Sequence, residues 1–151
     1  MAPFAAAFAR RTKTVSRYIF GGMFILAGAN HLLNSTFYVT IMPPYLPWHL
    51  PLVYISGAAE MALGTVLMFR RWSTVAAWGL LALLAAIFPA NVQMALHPGL
   101  YRFIPAPALW LRLPLQAVLM AWAYRYTRAD ADTRMGAVDN HDPPARDSRA
   151  R

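Results

Sequence analysis

Apolar residues fall into four long stretches, at residues 16–33, 50–69, 72–96 and 107–126, separated by short polar or basic joints. Each approaches the roughly 20 residues that a helix needs to cross a hydrocarbon core of about 30 Å; the first is the shortest. The pattern predicts an all-α chain forming a four-helix transmembrane bundle over residues 16–126. A basic N-terminal lead covers 1–15 and suits the membrane interface. Residues 127–151 mix Arg and Asp with few apolar side chains, a composition expected to be disordered.

The joints differ in character. Residues 34–49 carry Met42-Pro43-Pro44-Tyr45-Leu46-Pro47, and prolines at that density favour an extended, polyproline-like path. Tyr38, Tyr45 and Trp48 suit the headgroup boundary. The segment therefore reads as an ordered outer loop lying back over the mouth of the bundle. Arg10 to Arg17, the apolar run Ile19–Leu26 and Ala27-Gly28-Ala29 also fit the three parts of a secretory signal. Apolar residues resume at Leu32 and Leu33, however, and cleavage would cost the bundle a packing partner, so the first stretch is read as a retained helix.

Charge sets the orientation. Arg10, Arg11, Lys13 and Arg17 precede the first stretch, Arg70 and Arg71 separate the second from the third, and Arg125, Arg128, Arg134, Arg146, Arg149 and Arg151 follow the fourth. Only Arg102 and Arg112 fall elsewhere. This alternation is what the positive-inside rule predicts for four membrane helices with both termini in the cytoplasm. It also removes the nucleic-acid reading of the net charge of +8, because the charge decorates helix ends and forms no basic groove. The chain is 58% hydrophobic and 13% charged, against roughly 25% charged in soluble domains. It has no cysteine, which removes thiolate and disulfide chemistry from the protein itself.

Against that background Glu60 stands out. It lies in the middle of the second stretch, and every other acid (Asp130, Asp132, Asp139, Asp142 and Asp147) lies in the C-terminal tail. A carboxylate at that depth is costly unless it is protonated, paired or facing a polar cavity. Helical spacing puts Ser56, Gly57, Glu60 and Gly64 on one stripe, which is expected to face the interior. The other stretches carry polar groups of their own: Asn30 and His31 in the first, Asn91 and Gln93 after Pro89 in the third, and Arg112 and Gln116 at i, i+4 in the fourth. Pro89 removes one backbone hydrogen bond and is expected to free the Ala85 carbonyl. Arg112 enters roughly 9 Å below the outer surface and Glu60 roughly 15 Å, from the 1.5 Å rise per residue. The guanidinium is therefore the expected partner of the acid. His31, Glu60, Asn91, Arg112 and Gln116 together predict a small polar pocket opening outward and capped by the loop bearing Tyr45.

These residues resemble the DoxX-like family of small bacterial membrane proteins over about residues 17–126. The resemblance lies in Gly28-Ala29-Asn30-His31, in Phe37-Tyr38 and Ile41-Met42-Pro43-Pro44-Tyr45-Leu46-Pro47, and in Ser56-Gly57-Ala58-Ala59-Glu60. Phe88-Pro89-Ala90-Asn91 with Met94, and Arg112-Leu113-Pro114-Leu115-Gln116, complete it. It implies a four-helix membrane bundle and a loose association with respiratory redox chemistry. Some relatives are named as subunits of a thiosulfate:quinone oxidoreductase, and others as members of redox-stress complexes or as assembly chaperones.

The expected function is a redox-linked accessory subunit, at most one part of a quinone-linked oxidoreductase. Glu60 and His31 are the candidate catalytic residues, and Asn30, Asn91, Arg112, Gln116 and Tyr45 the candidate ligand-binding residues. A quinone is the expected cofactor, held without a covalent bond. His31, His49 and His97 are too scattered along the chain to argue for a metal. A partner oxidoreductase subunit or a second copy of the chain is the expected company in the bilayer. Two other readings remain open: a non-catalytic scaffold or assembly factor in which a buried ion pair specifies packing, and a small-solute or proton transporter.

Overall fold

In the computed structural model, which describes residues 2–128, the chain is all-helical, with no strand among the described residues. The order is α1 (Ala2–Leu33), α2 (Ser35–Thr40), α3 (His49–Met68), α4 (Ser73–Leu96), a 3-10 turn at Pro98–Tyr101, and α5 (Ala106–Thr127). The tail assigned to 127–151 lies outside the described residues, apart from Thr127, which ends α5, and Arg128, which caps it.

The apolar stretches locate α3, α4 and α5 closely, because each is bounded by residues that stop or start helices. Pro51 and Pro107 sit in the first turns of α3 and α5, where their missing N–H groups have no helical partner to lose. The turn between α3 and α4 is closed by Phe69 N–H to Val66 O at 3.1 Å and Trp72 N–H to Phe69 O at 3.0 Å. Two expectations need correction. The N-terminal lead is not separate from the first helix, since α1 is one 32-residue helix from Ala2. Alanines at positions 2, 5, 6, 7 and 9 have the highest helix propensity of any residue, and the Arg and Lys residues that follow are good helix formers too.

The proline loop is ordered but not extended. It opens with the helix α2, and Leu46 N–H then bonds Pro43 O at 3.1 Å in a turn. Ile41 and Pro43 are buried beneath it. His49 Nε2 lies 3.1 Å from the Pro43 carbonyl oxygen and ties the loop to the start of α3. Trp48, just before that helix, takes a left-handed conformation at φ 56°, a strain of about 1 kcal/mol that the loop closure offsets.

α1 packs along α3, α3 on α4, and α4 on α5. One core cluster joins Phe20, Phe24, Leu67, Ala76, Ala77, Leu80, Leu84, Ala123 and Tyr126. A second, toward the loops, joins Ile41, Met94, Tyr101 and Leu109, with Tyr38 and Ile104 against it. The outer surface remains strongly apolar: Leu26, Ile55, Val75 and Leu111 are 72, 65, 63 and 65% exposed. So much apolar area facing outward on every long helix marks a surface made for an apolar medium or a partner. Two of the helices, α3 and α4, are long and apolar enough to cross a membrane.

Candidate functional site

The site is built where α1 and α3 cross. Gly28 of α1 and Gly57 of α3 face each other so closely that a Cβ on Gly28 would overlap the Gly57 carbonyl oxygen. Two turns away, a Cβ on Gly21 would lie 2.6 Å from the Gly64 carbonyl oxygen. Only glycine permits helix backbones to meet at this range. One turn beyond Gly28 and Gly57, at i+3 on each helix, stand His31 and Glu60.

His31 Nδ1 lies 3.6 Å from Glu60 Oε2, within reach of a charge interaction but too long for a hydrogen bond. Glu60 is 6% exposed, and its Oε2 is buried with no hydrogen-bond partner. Ser56 Oγ stands 3.5 Å from the same imidazole nitrogen and donates to the Val53 carbonyl at 3.0 Å. The other side of the imidazole is fixed by Tyr38 of α2, whose ring meets it edge-on at 3.8 Å between centroids. Asn30 Nδ2 donates to the Tyr38 hydroxyl at 2.7 Å and Asn34 Nδ2 donates to Asn30 Oδ1 at 2.6 Å. A chain of side-chain bonds thus runs from the α1–α2 junction to the acid's neighbour and holds the ring in place.

Arg112 does not pair with Glu60. Its guanidinium Nη1 approaches Met94 Sδ at 3.9 Å, and the ion pair recorded for Glu60 is the one with His31. The reason is helix order: α5 packs on α4, whereas α1 lies against α3, so depth along the bilayer normal says nothing about lateral distance. The remaining predicted residues form their own group between α4 and α5. Asn91 Nδ2 donates to Gln116 Oε1 at 2.9 Å, and Gln116 Nε2 donates to the Leu84 carbonyl at 2.5 Å. The carbonyl that Gln116 reaches is that of Leu84, one residue before the Ala85 carbonyl that Pro89 deprives of its helical N–H. Tyr45 is 58% exposed in the loop and neighbours Tyr101, not the acid. Burial first, and the Tyr45 phenol second, push the Tyr101 phenol above its ordinary value.

The expected single pocket is thus divided. His31, Glu60, Ser56 and Asn30 form one group with Tyr38, Asn91 and Gln116 form a second, and Arg112 stands with Met94. Tyr38 and Ser56 were not singled out as site residues from sequence. Both carry a signal in retrospect, because Ser56 is one turn before Glu60 on its stripe and Tyr38 lies in the segment that doubles back over the end of α1.

A family profile described as a domain of unknown function, DUF8561, matches residues 20–127. The chain belongs to the DUF8561 family. The stretch shared with that family holds both halves of the α1–α3 crossing and the whole Asn91–Gln116 network, while the first half of α1 lies outside it. No curated protein and no solved structure matches the chain.

Proposed function

We propose that this DUF8561 member is a multi-pass protein of the bacterial cytoplasmic membrane, with α1, α3, α4 and α5 spanning it and both termini inside. We further infer that it is a DoxX-like, redox-linked accessory subunit in which His31 and Glu60 handle a proton for a quinol-class molecule. The observation that carries this reading is the buried Glu60 Oε2, without a hydrogen-bond donor and 3.6 Å from His31 Nδ1. Native interiors seldom leave a buried carboxyl oxygen without a hydrogen-bond partner, so an atom in that condition is a candidate contact for a ligand hydroxyl.

The residues fit such a group. A quinol would bring a two-electron, two-proton couple, and its electrons would pass to a partner redox subunit. Glu60 Oε2 is placed to accept a hydroxyl proton, and His31, held by Tyr38 and Ser56, is placed to stabilise or relay it. Tyr38 and Asn30 fix the imidazole's orientation, and the apolar faces around α3 exclude water. In native membranes, Glu60→Gln should lower quinol-dependent turnover by about 10²-fold, the usual scale of a lost proton acceptor. Unchanged turnover with normal protein levels would overturn the reading.

A scaffold role is the second reading, and the direct packing of Gly28 on Gly57 beside the pair favours it. On that account His31 and Glu60 specify the crossing and carry no proton. The double variant His31→Gln/Glu60→Gln keeps shape and hydrogen-bonding capacity without ionisation. It should retain full activity if the pair only packs, and lose it if the pair transfers protons.

A further inference from the structure

At the other end of the molecule, a cavity of about 370 Å³ opens between the N-terminal half of α1 and the last turn of α5. It is lined by Phe8, Thr12, Lys13, Ser16, Arg125 and Tyr126. Phe8, Thr12 and Ser16 follow one face of α1 at i, i+4 and i+8. Two cations therefore meet two aliphatic hydroxyls and a phenol, no carboxylate among the described residues lines the space, and the ion pair among those residues lies elsewhere, at His31 and Glu60.

The hydroxyls are organised. Trp122 Nε1 donates to both Ser16 Oγ and Tyr126 Oη at 3.0 Å, and those two oxygens lie 2.8 Å apart. The indole proton is shared by both oxygens, and one of the two hydroxyl hydrogens bridges them. Both hydroxyls stand on this wall of the cavity beside Lys13 and Arg125. Two cations next to paired hydroxyls suit a phosphate oxygen set.

The surroundings distinguish a lipid from a free anion. Phe8 at the rim is 67% exposed, and Val15, Ile19 and Met23 continue an exposed apolar flank along α1 away from the cavity. Arginine–aromatic stacks mark the same end: Arg17 over Tyr18, Arg71 over Trp72 and Arg128 over Tyr124. Paired basic and aromatic side chains are the arrangement found at a headgroup boundary. We propose that the crevice between α1 and α5 binds the phosphodiester headgroup of an anionic phospholipid of the cytoplasmic leaflet, with an acyl chain along the exposed flank of α1. The proposal rests on the membrane reading above but not on the chemistry of His31 and Glu60.

The test uses the full chain, purified in a neutral detergent with phosphatidylglycerol and phosphatidylcholine added together, and counts retained lipid by native mass spectrometry. The protein should hold one phosphatidylglycerol in preference to phosphatidylcholine. Lys13→Gln/Arg125→Gln should lower that retention about thirtyfold, each basic group contributing on the scale seen for juxtamembrane cations. Lys13→Arg should keep it. Arg11→Gln/Arg71→Gln removes the same charge from the same end and should leave retention unchanged; circular dichroism confirms that each variant is folded. Equal loss in that control overturns the proposal in favour of diffuse attraction, and displacement of the lipid by millimolar inorganic phosphate overturns it in favour of a free-anion site. Carbonate washing of native membranes separates the two layers of the argument. A protein that washes off overturns the membrane reading, whereas one that stays and retains no phosphatidylglycerol overturns the lipid site alone.

Discussion

The α1–α3 seam and the α4–α5 seam both carry polar side chains between apolar helices, yet they treat them in opposite ways. Between α4 and α5 two neutral amides bond in series, Asn91 to Gln116 and Gln116 to the Leu84 carbonyl, while Arg112 stands apart against Met94. Between α1 and α3 the groups are ionisable, and the acid's Oε2 has no donor within hydrogen-bonding distance. A closed network rigidifies its surroundings, while an open one holds reactivity in reserve at a cost in stability. That difference is what the proposed proton chemistry at the α1–α3 seam rests on.

That contrast can be broken at several points. The largest effect on stability is expected at the crossing itself. In Gly57→Val a Cβ alone would lie 2.7 Å from His31 Cβ, so the helices must separate, costing at least about 3 kcal/mol. Thermal unfolding in detergent should show the protein melting far below the parent or failing to fold. Next comes Gln116→Leu, which removes the acceptor of the Asn91 amide and the side-chain donor to the Leu84 carbonyl. It should cost about 1–2 kcal/mol in the same assay and leave ligand affinity nearly intact.

Glu60→Gln inverts the pattern. Stability should change by less than about 1 kcal/mol or rise, because a neutral amide is cheaper to bury than an acid whose oxygen lacks a hydrogen-bond partner, while quinol-linked activity falls. An unfolded Glu60→Gln protein would place the acid among the structural groups and erase the distinction between the seams. Arg112→Met should have the smallest effect, within about 0.5 kcal/mol, since its guanidinium bonds only weakly to a thioether. A large loss there would mean that the arginine anchors the outer end of α5 after all.

Much of this was legible in the sequence for identifiable reasons. Helices α3, α4 and α5 end at Pro, Arg or loop aromatics that interrupt apolar runs, so their limits fall within a residue or two of the patterns that announce them. The interior placement of Glu60 followed from its stripe with Ser56, Gly57 and Gly64. Its partner did not follow. Elimination among charged residues favoured Arg112, but neutralisation of a buried acid needs only a neighbour with a proton to share, and which helices are neighbours is decided by where glycines let backbones touch. Gly21 and Gly28 spaced to meet Gly64 and Gly57 in antiparallel register encode that contact, and the register brings His31 to the acid. The helix α2 went unseen because six residues are too few to show a period. The division of one expected pocket into separate groups reflects lateral spacing, about which a single sequence is silent.

The length of α1 has a mechanical consequence. Thirty-two residues in one helix make a rod of about 48 Å at 1.5 Å per residue, against a hydrocarbon slab of about 30 Å. In the proposed membrane setting the surplus of about 18 Å would stand clear of the lipid as a rigid spar carrying Arg11 and Lys13, continuous in one helix with the turn that bears His31.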